Sequence, residues 1–71
     1  MTLDELIADI ESRGLGWDVG QSSPMFYEAR IWDWPYVIGR HDHDFQEPIT
    51  PLLMLEKAFA QVDLTTYQKK K

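Results

Sequence analysis

The sequence predicts an α+β fold: one small domain ordered α-β-β-β-α, a three-stranded antiparallel meander with both helices packed on one face. Three observations carry this expectation. Apolar residues recur at helical spacing near both ends of the chain, and the middle is rich in aromatic and β-branched residues broken by turn formers. At 71 residues the chain can enclose one core and no more.

The first element is a helix over about residues 3–13. Leu3, Leu6, Ile7 and Ile10 fall at i, i+3, i+4 and i+7, and Thr2 with Glu5 forms a T-x-x-E capping box. Asp4 and Glu5 in the first turn and Arg13 in the last complement the helix dipole, and Gly14 suits the left-handed residue that ends a helix. Three strands follow, over 15–19, 25–33 and 36–40, separated by the turn Gly20-Gln21-Ser22-Ser23-Pro24 and by Trp34-Pro35. Short connections make neighbouring strands pair antiparallel. Alternation gives the middle strand a core face of Tyr27, Ala29 and Ile31 and an open face of Phe26, Glu28, Arg30 and Trp32. Trp17, Tyr27 and Phe59 are expected in the core.

His41-Asp42-His43-Asp44-Phe45-Gln46-Glu47-Pro48 is expected to be a polar loop. Thr50-Pro51 then sets an N-cap before a proline at the first helical position, opening a helix to about Val62 with Leu52, Leu55, Phe59 and Val62 on one stripe. The domain is thus 3–62. Residues 63–71 lack periodicity and end in Lys69-Lys70-Lys71, which suggests a flexible basic tail.

Several function classes lose support at this level. There is no cysteine, which removes thiolate chemistry, disulfides and cysteine-ligated zinc. The serines sit at a helix end and in a turn, and no glycine-rich phosphate loop or nucleophile elbow accompanies them, so no enzyme and no cofactor are expected. The acidic start lacks the basic lead and apolar core of a signal peptide, and no stretch nears the ~20 apolar residues of a membrane span; the expected compartment is the cytoplasm. His41 and His43 are the residue types that bind transition metals. In an extended segment, however, they point one way and Asp42 and Asp44 the other, which argues against a shared shell even with Glu47 nearby.

Charge points to a protein partner. The chain carries 12 acids and 7 bases, and with three of those bases at the very end residues 1–68 are left with 12 acids against 4 bases, a charge of −8. The element order is similar to that of the double-stranded RNA-binding domain, but that domain needs lysines at the start of its second helix, where this chain has Thr50-Pro51-Leu52-Leu53-Met54. RNA binding is therefore not expected. Tryptophans in excess of what a one-sided sheet can bury suggest interface anchors.

The runs Glu11-Ser12-Arg13-Gly14-Leu15-Gly16-Trp17 and Tyr27-Glu28-Ala29-Arg30-Ile31-Trp32, with Thr50-Pro51 opening a helix that carries Leu55 and Ala58, resemble small proteins of bacterial phages and mobile elements over about residues 3 to 62. That resemblance implies a non-enzymatic inhibitor of the anti-CRISPR type acting in a bacterial host cell, where carboxylates stand in for the phosphates of a nucleic acid. No functional residue transfers by position. The expected contact residues are Glu28, Trp32, Trp34, Asp42, Asp44 and Glu47 against a basic protein surface. The alternative is a self-associating module whose homodimer forms through Phe26 and Trp32 on the open sheet face; a second alternative, which the spacing and charge arguments above disfavour, is a metal- or RNA-binding small domain with His41 and His43 as the metal ligands.

Overall fold

A computed structural model describes residues 1–70 and has the expected element order: α1 (Leu3–Ser12), β1 (Gly16–Ser23), β2 (Phe26–Asp33), β3 (Tyr36–Asp44) and α2 (Pro51–Phe59). The three strands form one antiparallel sheet in the order β1-β2-β3.

Local chemistry sets both helix starts. Thr2 accepts from the Glu5 backbone N–H while the Glu5 carboxylate accepts from the Thr2 N–H, at 3.2 and 3.0 Å, so the capping box is complete. Hydrogen bonding from the Thr2 backbone N–H, and then from the Thr2 side chain, holds the Glu5 carboxyl below its ordinary pKa. Thr50 accepts from the Leu53 N–H at 3.2 Å, with Pro51 opening the helix. Gly14, at φ +75°, takes the left-handed conformation that ends α1.

Two strands differ in length from the expectation. β1 runs on through Gly20–Ser23, expected as a turn, and β3 runs on through His41–Asp44, expected as a loop. Both extensions have one cause. Phe26 to Ala29 of β2 offer backbone partners on either side, pairing Gly20 with Glu28 and Gln21 with Tyr27 across one edge and His41 with Ala29 and Asp44 with Phe26 across the other. Ladder hydrogen bonds outweigh the weak strand preference of Gly, Ser, Asp and His. The register slips once in each pair, at Gln21/Ser23 and at Ile31/Trp32.

The core lies where α2 crosses the sheet. Ile10 of α1, Ala29 and Ile31 of β2, and Leu55 and Ala58 of α2 are each 0% exposed, and both helices feed this single cluster. Full burial of a side chain of the size of Leu55 contributes about 1.5–3 kcal/mol. Gly39 lets α2 come close, because a Cβ there would strike the backbone carbonyl oxygen of Ala58. α2 ends at Phe59, short of the expected Val62, yet Val62 still reaches the core. Of the three large side chains expected inside, Tyr27 and Phe59 are half-buried against the cluster. Trp17 is a correction: on edge strand β1 it stays 37% exposed, while Leu15 takes the buried position.

Residues 63–70, placed outside the domain on sequence grounds, carry contacts to its body. The Tyr67 hydroxyl donates to Asp33 at 3.0 Å, the Arg13 guanidinium donates to the Tyr67 carbonyl at 2.8 Å, and the Lys70 N–H donates to the Ser12 carbonyl at 2.7 Å. Asp63 accepts from the Thr65 backbone and from the hydroxyls of Thr65 and Thr66, which lowers its pKa, and the bond to Asp33 raises that of Tyr67.

Candidate functional site

The registers sort every strand residue onto one of two faces. Ile31, Ala29 and Tyr27 face the core with Gly39, His41 and His43 of β3 as cross-strand neighbours; the intervening residues Trp32, Arg30, Glu28 and Phe26 share the opposite face with Val37, Arg40, Asp42 and Asp44. Asp18 of β1 joins them opposite Arg30.

That open face is a connected charge ladder. Arg30 Nε lies 2.8 Å from Asp18 Oδ1 and 3.1 Å from Glu28 Oε1; Arg40 Nη2 lies 2.7 Å from Glu28 Oε2, and Arg40 Nε 3.3 Å from Asp42 Oδ1. Hydrogen bonding to Asp18 raises the pKa of Arg30 further. The second oxygen of Asp18 accepts from the Trp32 indole N–H at 2.8 Å, and the Arg30 guanidinium sits 5.0 Å from the centre of the Trp32 ring. Glu28, expected as a contact residue for a basic partner, is gripped by two arginines with its side chain only 12% exposed.

Trp32 and Trp34 form the aromatic end of the ladder, ring centres 5.4 Å apart and tilted by 41°. The turn Trp34-Pro35, whose peptide bond is cis, projects Trp34 with 80% of its surface exposed, and Tyr36 behind it with 70%. At the far end Phe26 is half exposed opposite Asp44, and Asp44 caps the backbone N–H of Gln46 at 2.9 Å. The carboxylates Asp44 and Glu47 and the anchors Trp32 and Trp34, expected to act together, thus sit at opposite ends of the β2–β3 hairpin, about 20 Å apart at ~3.3 Å per residue.

The two histidines lie on the helix-covered face. Their rings are 5.6 Å apart, and the Nε2 atoms of both are buried without a hydrogen-bond partner. Burial, then Lys57 and His43, push the pKa of His41 down, against the pull of Asp42. Glu47 Oε2 approaches His43 Nε2 to 3.7 Å, too far for a hydrogen bond. Among the described residues no three His, Asp or Glu side chains converge to hold a metal ion. Also among them, no helix is long and apolar enough to cross a membrane.

Comparison of the chain with family models, with curated proteins and with solved structures returns no match in any of the three. Chemistry at the surface is therefore the guide. Sequence reasoning passed over Asp18, Arg40 and Tyr36. The signal for the first two was the period-two alternation within strands 15–19 and 36–40, but only the pairing register sets both beside Arg30; Tyr36 opens the third strand, and its exposure depends on the path of the turn before it.

Proposed function

We propose that this chain is a non-enzymatic protein-binding module, of inhibitor type, that docks on an electropositive surface such as one built to hold nucleic acid. The observation that supports this reading is the hairpin tip: Trp34 and Tyr36 are 80% and 70% exposed, with Trp34 packed on Trp32, itself tethered to Asp18. Large aromatics held in place lose little conformational freedom on binding and are the side chains that dominate interface energetics. Charge supplies the second component. All three arginines engage carboxylates within the chain, and the acids behind the net charge of −5 include the exposed Asp4, Glu11, Asp44 and Glu47, none of which pairs with an arginine. Such a field speeds encounter with a basic partner and repels nucleic acid itself. In this division of labour the aromatic tip sets affinity and the acids set the rate and partner class.

The test is affinity capture from bacterial lysate with the wild-type chain, with Trp34→Ala and with a Tyr36→Ala/Trp34→Ala double variant, each in low and high salt. Nucleic-acid-binding proteins held by the wild type should be lost with the double variant and weakened by salt. Retention of the same proteins by all three chains would remove the proposal.

A further inference from the structure

The open face of the sheet matches a second copy of itself. Along β2 the outward residues are Phe26, Glu28, Arg30 and Trp32, so the order aromatic-acid-base-aromatic becomes its own complement when the strand direction is reversed. A twofold axis lying between two facing sheets, perpendicular to the strands and passing midway between Glu28 and Arg30, brings Glu28 over Arg30 of the other copy and Phe26 over Trp32. β3 obeys the same operator without adjustment. Arg40 pairs with Arg30 and Asp42 with Glu28 in the sheet register, so the axis also runs midway between Arg40 and Asp42 and sets each over the other's counterpart. On β1 the axis passes between Asp18 and Gly20; beside Gly20 lies an open depression of about 210 Å³, and no side chain stands there to block approach. The other in-plane axis, parallel to the strands, would stack Arg30 on Arg30 and Glu28 on Glu28, so charge selects one operator of the two.

We propose that this face is an isologous, antiparallel homodimer interface, centred between Glu28 and Arg30. Its size bounds its strength. Three strands ~4.8 Å apart and seven residues at ~3.3 Å each give roughly 300 Å² of flat face per copy, well under the ~800 Å² per partner of a standard interface. The dimer is accordingly weak and reversible, and its ion pairs, shared with the neighbours each charge already has, make it sensitive to salt. Trp34 and Tyr36 lie beyond the paired residues, so this dimer leaves both hairpin tips free and stands or falls independently of what those tips bind.

Sedimentation from about 10 µM to about 1 mM, a range that brackets micromolar to near-millimolar dissociation constants, reads the equilibrium. The wild type should move from monomer to dimer across it. Glu28→Arg places Arg at both central positions and Arg30→Glu places Glu at both; each alone should weaken association at least tenfold, and an equimolar mixture should recover it, because each variant now complements the other. The pair Asp42→Arg and Arg40→Glu repeats the experiment on β3, away from the Asp18–Trp32 contact, and circular dichroism identifies any variant that has not folded. A wild type that stays monomeric throughout would overturn the proposal, as would single variants that associate as well as it does or mixtures that recover nothing.

Discussion

The two faces of one three-stranded sheet show how a single alternation produces two environments. Facing α2, β2 and β3 present Ile31, Ala29 and Gly39, all at most a few per cent exposed or buried outright, and His41 and His43 with buried, unpaired Nε2 atoms. Facing away, the same strands present Glu28, Arg30, Arg40 and Asp42 in mutual ion pairs, closed at one end by Trp32 and Trp34. On the first face stability comes from excluded water and close packing. On the second, charges are satisfied laterally, which fixes side-chain positions and leaves the aromatic tip available. Polar groups thus occur on both faces under opposite conditions: without a hydrogen-bond partner at the buried Nε2 atoms where a helix covers them, in lateral ion pairs where it does not.

The strongest test of that contrast is truncation of a large apolar side chain on each side. Ile31→Ala should cost about 2–5 kcal/mol in urea unfolding, a large share of the roughly 5–10 kcal/mol available to a domain of this kind, whereas Phe26→Ala should cost under about 1 kcal/mol. Equal losses would erase the distinction. Glycines make the next comparison. Gly39→Ala forces a Cβ against the Ala58 backbone and should destabilise by about 1–3 kcal/mol, while Gly20→Ala, with open space around it, should fall within about 0.5 kcal/mol of the wild type.

Protonation sharpens the comparison further. Because the folded pKa of His41 lies below its ordinary value of 6.5, the unfolded chain takes up the proton first. Its contribution is complete above about pH 6.5 and declines as pH falls through that value toward the folded pKa. Thermal unfolding should therefore weaken from pH 7 to pH 5 in the wild type and less so in His41→Leu; parallel curves would show that the covered face accepts the charge. The smallest stability effect belongs to the open tip. Trp34→Ala should shift unfolding by no more than about 0.5 kcal/mol while removing the contact proposed for a partner.

Much of this architecture was legible in the residues. Thr2 with Glu5, Gly14, and Thr50 with Pro51 are local devices whose chemistry acts within one turn, and all of them operate as read. The alternation from Phe26 to Trp32 assigned the two faces, and even in the segment expected as a loop it correctly set both histidines against both aspartates. The strand ends were not legible, since Gly20–Ser23 and His41–Asp44 have little strand preference of their own and extend only because β2 lies between them. Nor was the engagement of Glu28. A carboxylate two residues from an arginine on one strand is visible in sequence; the second arginine, Arg40, reaches it only across the hairpin.

The division follows from the range of the forces involved. Capping, turn chemistry and side-chain periodicity are contacts among near neighbours, so the sequence by itself determined the element order, the helix starts and the face each β2 residue takes. Pairing register, the approach of α2 over Gly39, the burial of the histidine ring atoms and the closure of the charge ladder join residues far apart in the chain. Only the tertiary structure decided those, because each depends on which strand a distant residue is set beside, and that is a property of the assembled sheet rather than of any segment within it.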